Sequence, residues 1–196
     1  IHISYFIGSL GLGGTEKQIL ALLNSLDKKK FKIDLYLIMQ EKGDLFEKLD
    51  KTINVYLPKF RFKPKVSFLF NFIINFYRVR KTKPDIIHCF LPFAYLMGGF
   101  IGLFTKNQNI IMSRRSLNYY QKKNKFFPVR IIENFLHKKI RLIIANANAV
   151  KRNLIEEGAS VKKIKVILNG FIKPKSVQNE TSVILKKKLG IKKNCF

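Results

Sequence analysis

The chemistry-bearing feature nearest the start of the sequence is a glycine-rich stretch, GSLGLGGTEKQ, at residues 8–18. Four glycines fall within seven residues, after an apolar run and before a stretch with helical periodicity. A turn from a strand into a helix exposes backbone N–H groups, and glycine lets a phosphate approach them closely. The stretch therefore predicts either a phosphate site or a tight turn without a ligand.

Neither common nucleotide motif is complete in this stretch. The dinucleotide motif Gly-x-Gly-x-x-Gly starts at Gly11 and Gly13, but Glu16 stands where the third glycine should be. No Gly-Lys-Ser/Thr follows, so the stretch is not a Walker phosphate loop. Glu16 suits the positive end of a helix and would compete there with a phosphate, which makes a hydroxyl or sugar edge the alternative ligand.

Two further candidate groups follow apolar runs later in the chain. His88 ends one run, and the neighbours Arg114 and Arg115 follow another. Guanidinium groups bind phosphate in a bidentate manner, whereas a histidine can hydrogen-bond a hydroxyl or carbonyl group. The structural alternatives are a core histidine and a solvated basic loop, and the sequence alone leaves them open.

The charge is strongly unbalanced, with 38 Lys and Arg against 12 Asp and Glu and a formal net charge of +26. Such a field attracts anionic lipid surfaces, nucleic acid or nucleotides. Because the lysines are spread along the chain, compositional bias is an equal alternative. The two cysteines and three histidines lack metal-ligand spacing, so we expect no metal site and a reducing compartment.

Short β-branched and aromatic runs alternate with stretches of helical periodicity along the chain. The runs predict strands at 2–7, 32–39, 53–57, 85–90, 109–113, 141–146 and 165–168. The intervening stretches predict helices at 15–26, 44–51, 66–81, 94–104, 127–139 and 147–157. This alternation predicts an α/β fold, a doubly wound parallel sheet of Rossmann-like type, over residues 1–170. Residues 171–196 are polar and then lysine-rich, which predicts a linker and the start of another domain.

The helix predicted at 66–81 combines aromatic residues with basic flanks. Its polar residues form a narrow stripe of Ser67, Asn71, Asn75 and Arg78, and the other positions are mostly apolar. Such a helix is buried, or it lies at an interface where basic flanks reach lipid headgroups. The candidate membrane contacts are Arg61, Lys63, Lys65, Arg78 and Arg80. No RNA-binding motif accompanies them, so a nucleic-acid partner is not expected.

Three segments of the sequence together carry a family likeness. They are GLGGTEKQILALLNSL at 11–26, KPDIIHCFLPFAYLMG at 83–98 with SRRSLNYYQKK at 113–123, and RLIIANANAVKRNLIEEGASVKKIKVILNGF at 141–171. With these segments, residues 1–171 resemble the retaining glycosyltransferases of family 4, which have the two-domain GT-B fold. The last segment is the most specific of the three, and the glycine stretch alone is the least specific.

This resemblance implies an acceptor-side domain at 1–170, with 171–196 leading into a donor-binding domain. In the family, the donor-binding domain carries two glutamates separated by seven residues, and no two glutamates of this sequence have that separation. The resemblance therefore implies a hexosyltransferase-type enzyme at full length and an inactive fragment by itself. It implies a nucleotide sugar as donor substrate and no cofactor. No metal is expected either, since the sequence has no Asp-x-Asp.

The resemblance also implies roles for individual residues. Gly13 and Gly14 would lie near the donor diphosphate, and His88 would face the cleft as the candidate catalytic residue. The loop after the fifth strand would bind the acceptor or a phosphate through Arg114, Arg115, Asn118 and Tyr119. Relatives often carry another histidine where this chain has Phe90 or Phe93, a departure that bears on sugar specificity.

The leading hypothesis is therefore retaining transfer of a sugar from a nucleotide sugar to a lipid-linked or saccharide acceptor. The product would be a bacterial polysaccharide, lipopolysaccharide or other cell-surface glycan, made in the cytoplasm or peripherally at the inner face of the cell membrane. The alternative is a non-catalytic α/β module that binds an anionic glycan or a lipid headgroup. A nicotinamide-dependent oxidoreductase is a third class, and it depends only on the incomplete glycine motif.

Overall fold

The computed structural model describes residues 1–39, 41–60, 64–117, 129–170 and 188, with the backbone alone at 64, 65, 129 and 130. The described strands are β1 His2–Ile7, β2 Lys32–Leu37, β3 Asn54–Tyr56, β4 Ile86–Phe90, β5 Ile110–Arg114, β6 Leu142–Ala145 and β7 Ile164–Val166. The described α-helices are α1 Gly14–Ser25, α2 Pro64–Thr82, α3 Pro92–Phe104, α4 Val129–Lys139 and α5 Asn148–Glu156. Short 3₁₀ turns occur at Phe46–Lys48 and Val161–Lys163.

All seven strands pair in parallel in the order β3-β2-β1-β4-β5-β6-β7. The direction of winding reverses between β1 and β4, where Tyr5 pairs with His88. This arrangement confirms the doubly wound, Rossmann-like parallel sheet. In open sheets of this type, ligands bind outside the carboxyl ends of the strands at such a reversal.

The two faces of the sheet bury separate cores. On one face α1 packs over β1 and β2 through Ile19 and Leu23. On the other face α3 packs closely, because a Cβ at Gly98 would lie only 2.5 Å from Cys89 Sγ and 2.9 Å from the Phe6 ring. The remaining described helices contribute to this second core. Among the described residues, no helix is both long and apolar enough to cross a lipid bilayer.

The helix predicted at 44–51 is wrong, since only the 3₁₀ turn Phe46–Lys48 forms there. Gly43 adopts a positive φ of 89°, which interrupts helical geometry just before it. The backbone of this segment bonds to the glycine stretch instead, with Leu45 N–H donating to Leu10 C=O at 2.8 Å and Leu10 N–H donating to Lys42 C=O at 2.8 Å. The other predicted elements lie within about two residues of those observed in the described ranges.

Candidate active site

A groove of about 630 Å³ lies on the α1 side of the sheet at the reversal between β1 and β4. Its floor is formed by alternate residues of the central strands, and α1 and the segment after β7 form its sides. Alternation places residues two apart on the same face of a strand, so the floor takes every second side chain. The residues that matter for chemistry are Tyr5, Gln18, His88, Ser113, Arg115 and Gly170.

The glycine stretch forms the turn from β1 into α1, and Gly13 is the residue that caps the helix. Both Gly13 and Gly14 are exposed, and a Cβ at Gly14 would meet no atom within 4 Å. Backbone bonds hold the turn against the β2–β3 connection, including Met39 N–H to Gly8 C=O at 2.8 Å. The N–H groups of the first turn of α1 are thus held in place at a helix end of the kind that attracts an anion.

Glu16 lies over this helix N-terminus. A Cβ added to Gly13 would overlap the Glu16 carboxylate, which is therefore folded back onto the first turn. A negative charge here is stabilised by the helix dipole. The arrangement matches the competition with phosphate that the sequence predicts, because an incoming phosphate would need this position.

His88 on β4 lies buried in the floor of the groove. Its Nε2 lies 2.8 Å from Ser113 Oγ, and its ring lies 4.4 Å from the Phe90 ring and 5.4 Å from the Tyr5 ring between centroids. Burial, with a smaller contribution from the Arg115 charge, lowers the pKa of His88 to about 3. The imidazole is therefore neutral at pH 7, suited to hydrogen bonding and poorly suited to accepting a proton.

Arg115 follows β5 and lines the groove beside His88. Its guanidinium donates to Asn169 Oδ1 and lies 6.0 Å from the centre of the Phe90 ring. On the opposite side, Gln18 of α1 donates to the Gly170 carbonyl at 2.5 Å. The Asn169–Gly170 turn is consequently fastened to both sides of the groove.

Arg114 is placed differently from Arg115 and does not join it in the groove. It is only 2% exposed, and its guanidinium donates to both carboxylate oxygens of Glu157 at 2.9 Å. The carboxylate of Glu133 on α4 lies 3.5 Å from the same guanidinium. Arg114 is the last residue of β5, so its side chain points to the face opposite Ser113 and Arg115. These contacts correct the expectation of two adjacent arginines facing one ligand.

The other predicted site residues are distributed as follows. Asn118, Tyr119, Arg61 and Lys63 lie outside the described residues, and Lys65 is described by its backbone alone. Arg78 lies against the Tyr56 ring at 5.0 Å and donates to Asn75 Oδ1 at 3.0 Å, so it points toward the protein. Arg80 is exposed at the surface. Phe90 is buried in the groove floor, whereas Phe93 is exposed at the start of α3.

Three groove residues, Tyr5, Gln18 and Ser113, were missed by the sequence reasoning, and so was Asn169, which bonds to Arg115. Ser113 could have been found, because strand alternation places it on the same face as Arg115. No sequence pattern indicates that Tyr5 and Gln18 line the groove, because their positions there depend on which strands are neighbours in the sheet. Leu91 next to the groove has φ 71° and ψ 156°, a region normally adopted by glycine, and no sequence pattern indicates it.

No cluster of three or more His, Cys, Asp or Glu able to hold a metal ion occurs within the described ranges. The buried thiol of Cys89 has its pKa raised by desolvation, which keeps it protonated and unreactive. The polar side chains that line the groove include the Arg115 guanidinium and the neutral His88 imidazole, with Gln18 and Ser113 beside them, and the N-terminus of α1 follows the carboxyl end of β1. Such a set can bind a phosphate beside a hydroxyl-bearing group.

Comparison with known proteins gives a family and a fold. The sequence model described as Glycosyltransferase Family 4 matches residues 12–172. No curated protein matches the sequence. Among solved structures, HepE of Anabaena in complex with UDP-glucose superposes with a TM-score of 0.72 at 18% identity, covering 96% of this chain and 50% of that one.

Two further structures have the same fold. A glycosyltransferase from Rickettsia africae has a TM-score of 0.66 at 19% identity, with 98% of this chain and 50% of that one covered. The lipopolysaccharide outer core galactosyltransferase WaaB has a TM-score of 0.66 at 16% identity, with 90% and 48% covered. The chain therefore spans about half the length of these proteins, and the likeness extends over nearly all of it.

Proposed function

The chain belongs to glycosyltransferase family 4, and from that membership we propose that it takes part in moving a sugar from a nucleotide sugar to a lipid-linked or saccharide acceptor. One observation carries the proposal for this chain. His88 and Arg115 border a single groove at the reversal of the sheet, and the N-terminus of α1 follows the carboxyl end of β1, one of the two strands at that reversal. A nucleotide diphosphate and a sugar hydroxyl are the ligands that these groups would suit.

In the proposed reaction, the diphosphate of the donor lies near Gly13 and Gly14. Backbone N–H groups of the first turn, aided by the Arg115 guanidinium, stabilise the negative charge that develops on the departing nucleotide. Glu16 moves away from the helix N-terminus, or accepts a hydrogen bond from a sugar hydroxyl, when the diphosphate binds. We expect transfer with retention and no cofactor, in keeping with the resemblance in the sequence.

His88 is proposed to position a hydroxyl group of a sugar rather than to exchange a proton with it. Its lowered pKa keeps the ring neutral, so that one nitrogen stays with Ser113 Oγ and the other is available to the substrate. The phenyl ring of Phe90 packs beside it and limits the space around that hydroxyl. This arrangement would contribute to selectivity for a hexose, together with the proposed donor-binding domain, which would bind the rest of the donor.

We propose residues 1–170 as the acceptor-side domain and 171–196 as the connection to a donor-binding domain. The support is that the chain covers only half of each similar structure. The proposed setting is bacterial cell-surface glycan synthesis at the cytoplasmic side of the membrane. Similarity to WaaB, whose name refers to the lipopolysaccharide outer core, supports this setting. Within that setting, Arg115 with Asn118 and Tyr119 is the proposed contact to the acceptor or its phosphate.

The test is an assay of the full-length protein, with the proposed donor-binding domain present, using a panel of labelled nucleotide sugars and membrane extract as acceptor. We expect label in the extracted glycan, with the anomeric configuration of the donor retained. His88→Ala and Arg115→Gln should each lower the rate at least tenfold. Arg141→Gln is the matched control, because Arg141 is exposed beside the amino end of β6, away from the groove. Absence of transfer from every nucleotide sugar would overturn the proposal.

The non-catalytic module remains the second candidate, and the cationic and aromatic lining of the groove favours it. In that case no sugar would be transferred by the full chain. Saturable binding of an anionic saccharide, measured by calorimetry, would instead be lost in Arg115→Gln and kept in Arg141→Gln. The same two variants therefore distinguish a transferase from a binding module.

A further inference from the structure

Helix α2 buries three polar residues beside its core-facing aromatic residues and exposes several apolar residues. Ser67, Asn71 and Asn75 are 7%, 3% and 3% exposed, whereas Leu69, Ile73 and Tyr77 are 58%, 43% and 64% exposed. A surface helix of a water-soluble domain normally has the opposite arrangement, with the apolar stripe facing the core. The outward face of α2 is therefore suited to an apolar environment.

Hydrogen bonds to the preceding loop fix α2 in this orientation. Ser67 Oγ donates to the Phe60 carbonyl at 2.6 Å, and the Asn71 side chain donates to the same carbonyl at 3.1 Å. The Asn71 carbonyl oxygen accepts the Lys59 N–H at 2.9 Å. Turning the helix to hide its apolar residues would leave these buried groups without partners, which is strongly unfavourable.

The exposed apolar surface continues from α2 across α3 to α4. Phe72 of α2 meets Phe104 of α3 edge-on at 6.2 Å, and Phe100 of α3 stacks with Phe135 of α4 at 6.3 Å. We call this surface the outer apolar face. It consists of the exposed residues Val66, Leu69, Phe70, Ile73, Tyr77, Phe104, Ile131 and Phe135, together with the partly buried Phe100. Contiguous exposed apolar residues of this extent mark an interaction surface.

The exposed charges on the helices of the outer apolar face are positive. Neither α2 nor α3 contains an Asp or Glu, and the only carboxylate of α4 is the buried Glu133. The exposed or partly exposed acidic residues on the α1 side include Glu16, Asp27, Glu41, Asp44, Glu47 and Asp50. Exposed carboxylates near this half of the protein are Asp85, two residues after Lys83, and Glu156 of α5. The helices of the surface therefore combine apolar area with mainly positive charge, which complements an anionic lipid surface.

A cavity of about 670 Å³ opens at one end of this surface, between the ends of α2 and α3. Phe104 of the outer apolar face lines it together with the cations Arg80, Lys83 and Lys106. Lys83 and Lys106 both have positive φ, 47° and 58°, at the helix ends where glycine or asparagine is the usual residue. Cationic side chains therefore lie next to apolar surface. This arrangement suits a lipid, in which a phosphate lies next to acyl chains.

We propose that the outer apolar face docks on an anionic phospholipid bilayer, with lipid phosphates at the cavity formed by Arg80, Lys83 and Lys106. A second copy of the chain fits this surface less well, because two such faces would bring like charges together. Exposed Leu, Ile and aromatic side chains would enter the boundary between headgroups and acyl chains. The docking does not depend on sugar transfer, so either proposal can fail alone.

The first test measures partition of the full chain onto vesicles of phosphatidylcholine with and without 30% phosphatidylglycerol. Leu69→Gln with Ile73→Gln and Tyr77→Gln should lower binding to the anionic vesicles at least tenfold. Arg80→Gln with Lys83→Gln and Lys106→Gln should lower it on the order of 100-fold at low salt, about fivefold for each charge. All six positions are exposed, so melting followed by circular dichroism should show both variants folded.

Matched controls carry the same substitutions elsewhere on the surface. Met39→Gln with Ile155→Gln and Val161→Gln replaces exposed apolar residues, and Lys29→Gln with Lys51→Gln and Lys162→Gln removes three exposed charges. Each control should lower binding less than fivefold. No binding by the unaltered chain would overturn the proposal. Equal losses in the controls would do so too, since they would show diffuse attraction by net charge.

A fluorescence probe separates the lipid from other occupants of the face. The sequence contains no tryptophan, so Tyr77→Trp creates a single reporter and Val161→Trp a control. Anionic vesicles should shift the emission of the Tyr77→Trp variant to shorter wavelength and leave that of the control unchanged. Emission already shifted without vesicles would show that protein covers the face. A change of sedimentation from dimer to monomer in the Leu69, Ile73 and Tyr77 variant would identify a second copy, and either result overturns the proposal.

Discussion

Replacing Arg114 by methionine should destabilise the protein severely. The substitution keeps the volume roughly constant but removes the positive charge between the carboxylates of Glu133 and Glu157, which are 0% and 5% exposed. Removing one partner from a buried ion pair costs about 3–5 kcal/mol, because the remaining charge is left without compensation. For a domain of this size each 1 kcal/mol lowers Tm by about 2–4 °C, so we expect a fall of roughly 6–20 °C.

The assay is urea unfolding followed by circular dichroism at pH 7, with Arg115→Met as the matched control. Arg115 lies at the groove rather than between carboxylates, and its replacement should cost less than about 1 kcal/mol. A second measurement uses pH. In Arg114→Met the stranded carboxyl groups should have raised pKa values, so the destabilisation should shrink as the pH falls and these groups take up protons.

Equal stability losses in Arg114→Met and Arg115→Met would refute this reasoning, as would a loss in Arg114→Met that does not change with pH. Changing all three residues to apolar ones should recover much of the stability, since a well-packed apolar cluster can replace a buried ion cluster. That variant tests the charge explanation separately from the loss of packing.

Three other predictions concern packing, protonation and strain. Gly98→Ala should cost about 1–3 kcal/mol in urea unfolding, because its Cβ would overlap Cys89 and Phe6, whereas Gly14→Ala, which meets open space, should not destabilise. His88 and His137 have pKa values lowered to about 3 and about 4 by burial, so stability should fall as the pH drops from 6.5 toward 3, and His88→Asn should reduce that slope by up to about 1.4 kcal/mol per pH unit. Leu91→Gly should relieve about 1 kcal/mol of backbone strain, visible as slower unfolding or a higher Tm, and an unchanged Tm would show that the lost side chain offsets it.

The sheet could be predicted from the sequence because each strand is a short apolar run bounded by polar residues or glycine. β1 matches its predicted bounds, and the alternation with helices settles the parallel topology. The segment after β2 could not be assigned in the same way. Its apolar residues have helical spacing. The positive φ of Gly43 and the hydrogen bonds to Leu10 nevertheless hold its backbone in a non-helical conformation. Because Leu10 is distant in sequence, these hydrogen bonds leave no periodic pattern in the segment itself.

Residue types alone could not tell the two arginines apart. The pair at 114 and 115 indicates one basic site, yet β5 continues through Arg114 and strand alternation sends the two side chains to opposite faces. Helix α2 shows a related limit. Its periodicity locates the polar stripe correctly, but which stripe faces inward depends on the backbone groups of Lys59 and Phe60, which Asn71 and Ser67 satisfy.

The fastening of the Asn169–Gly170 turn links occupancy of the groove to the direction in which the chain leaves the sheet. Gln18 and Arg115 hold that turn from opposite sides, so the path of the backbone after β7 is set by side chains that line the groove. A ligand that draws the Arg115 guanidinium away from Asn169 would loosen one side of this segment. Binding in the groove would then change how the backbone at residues 169 and 170 is held, while the sheet itself stays the same.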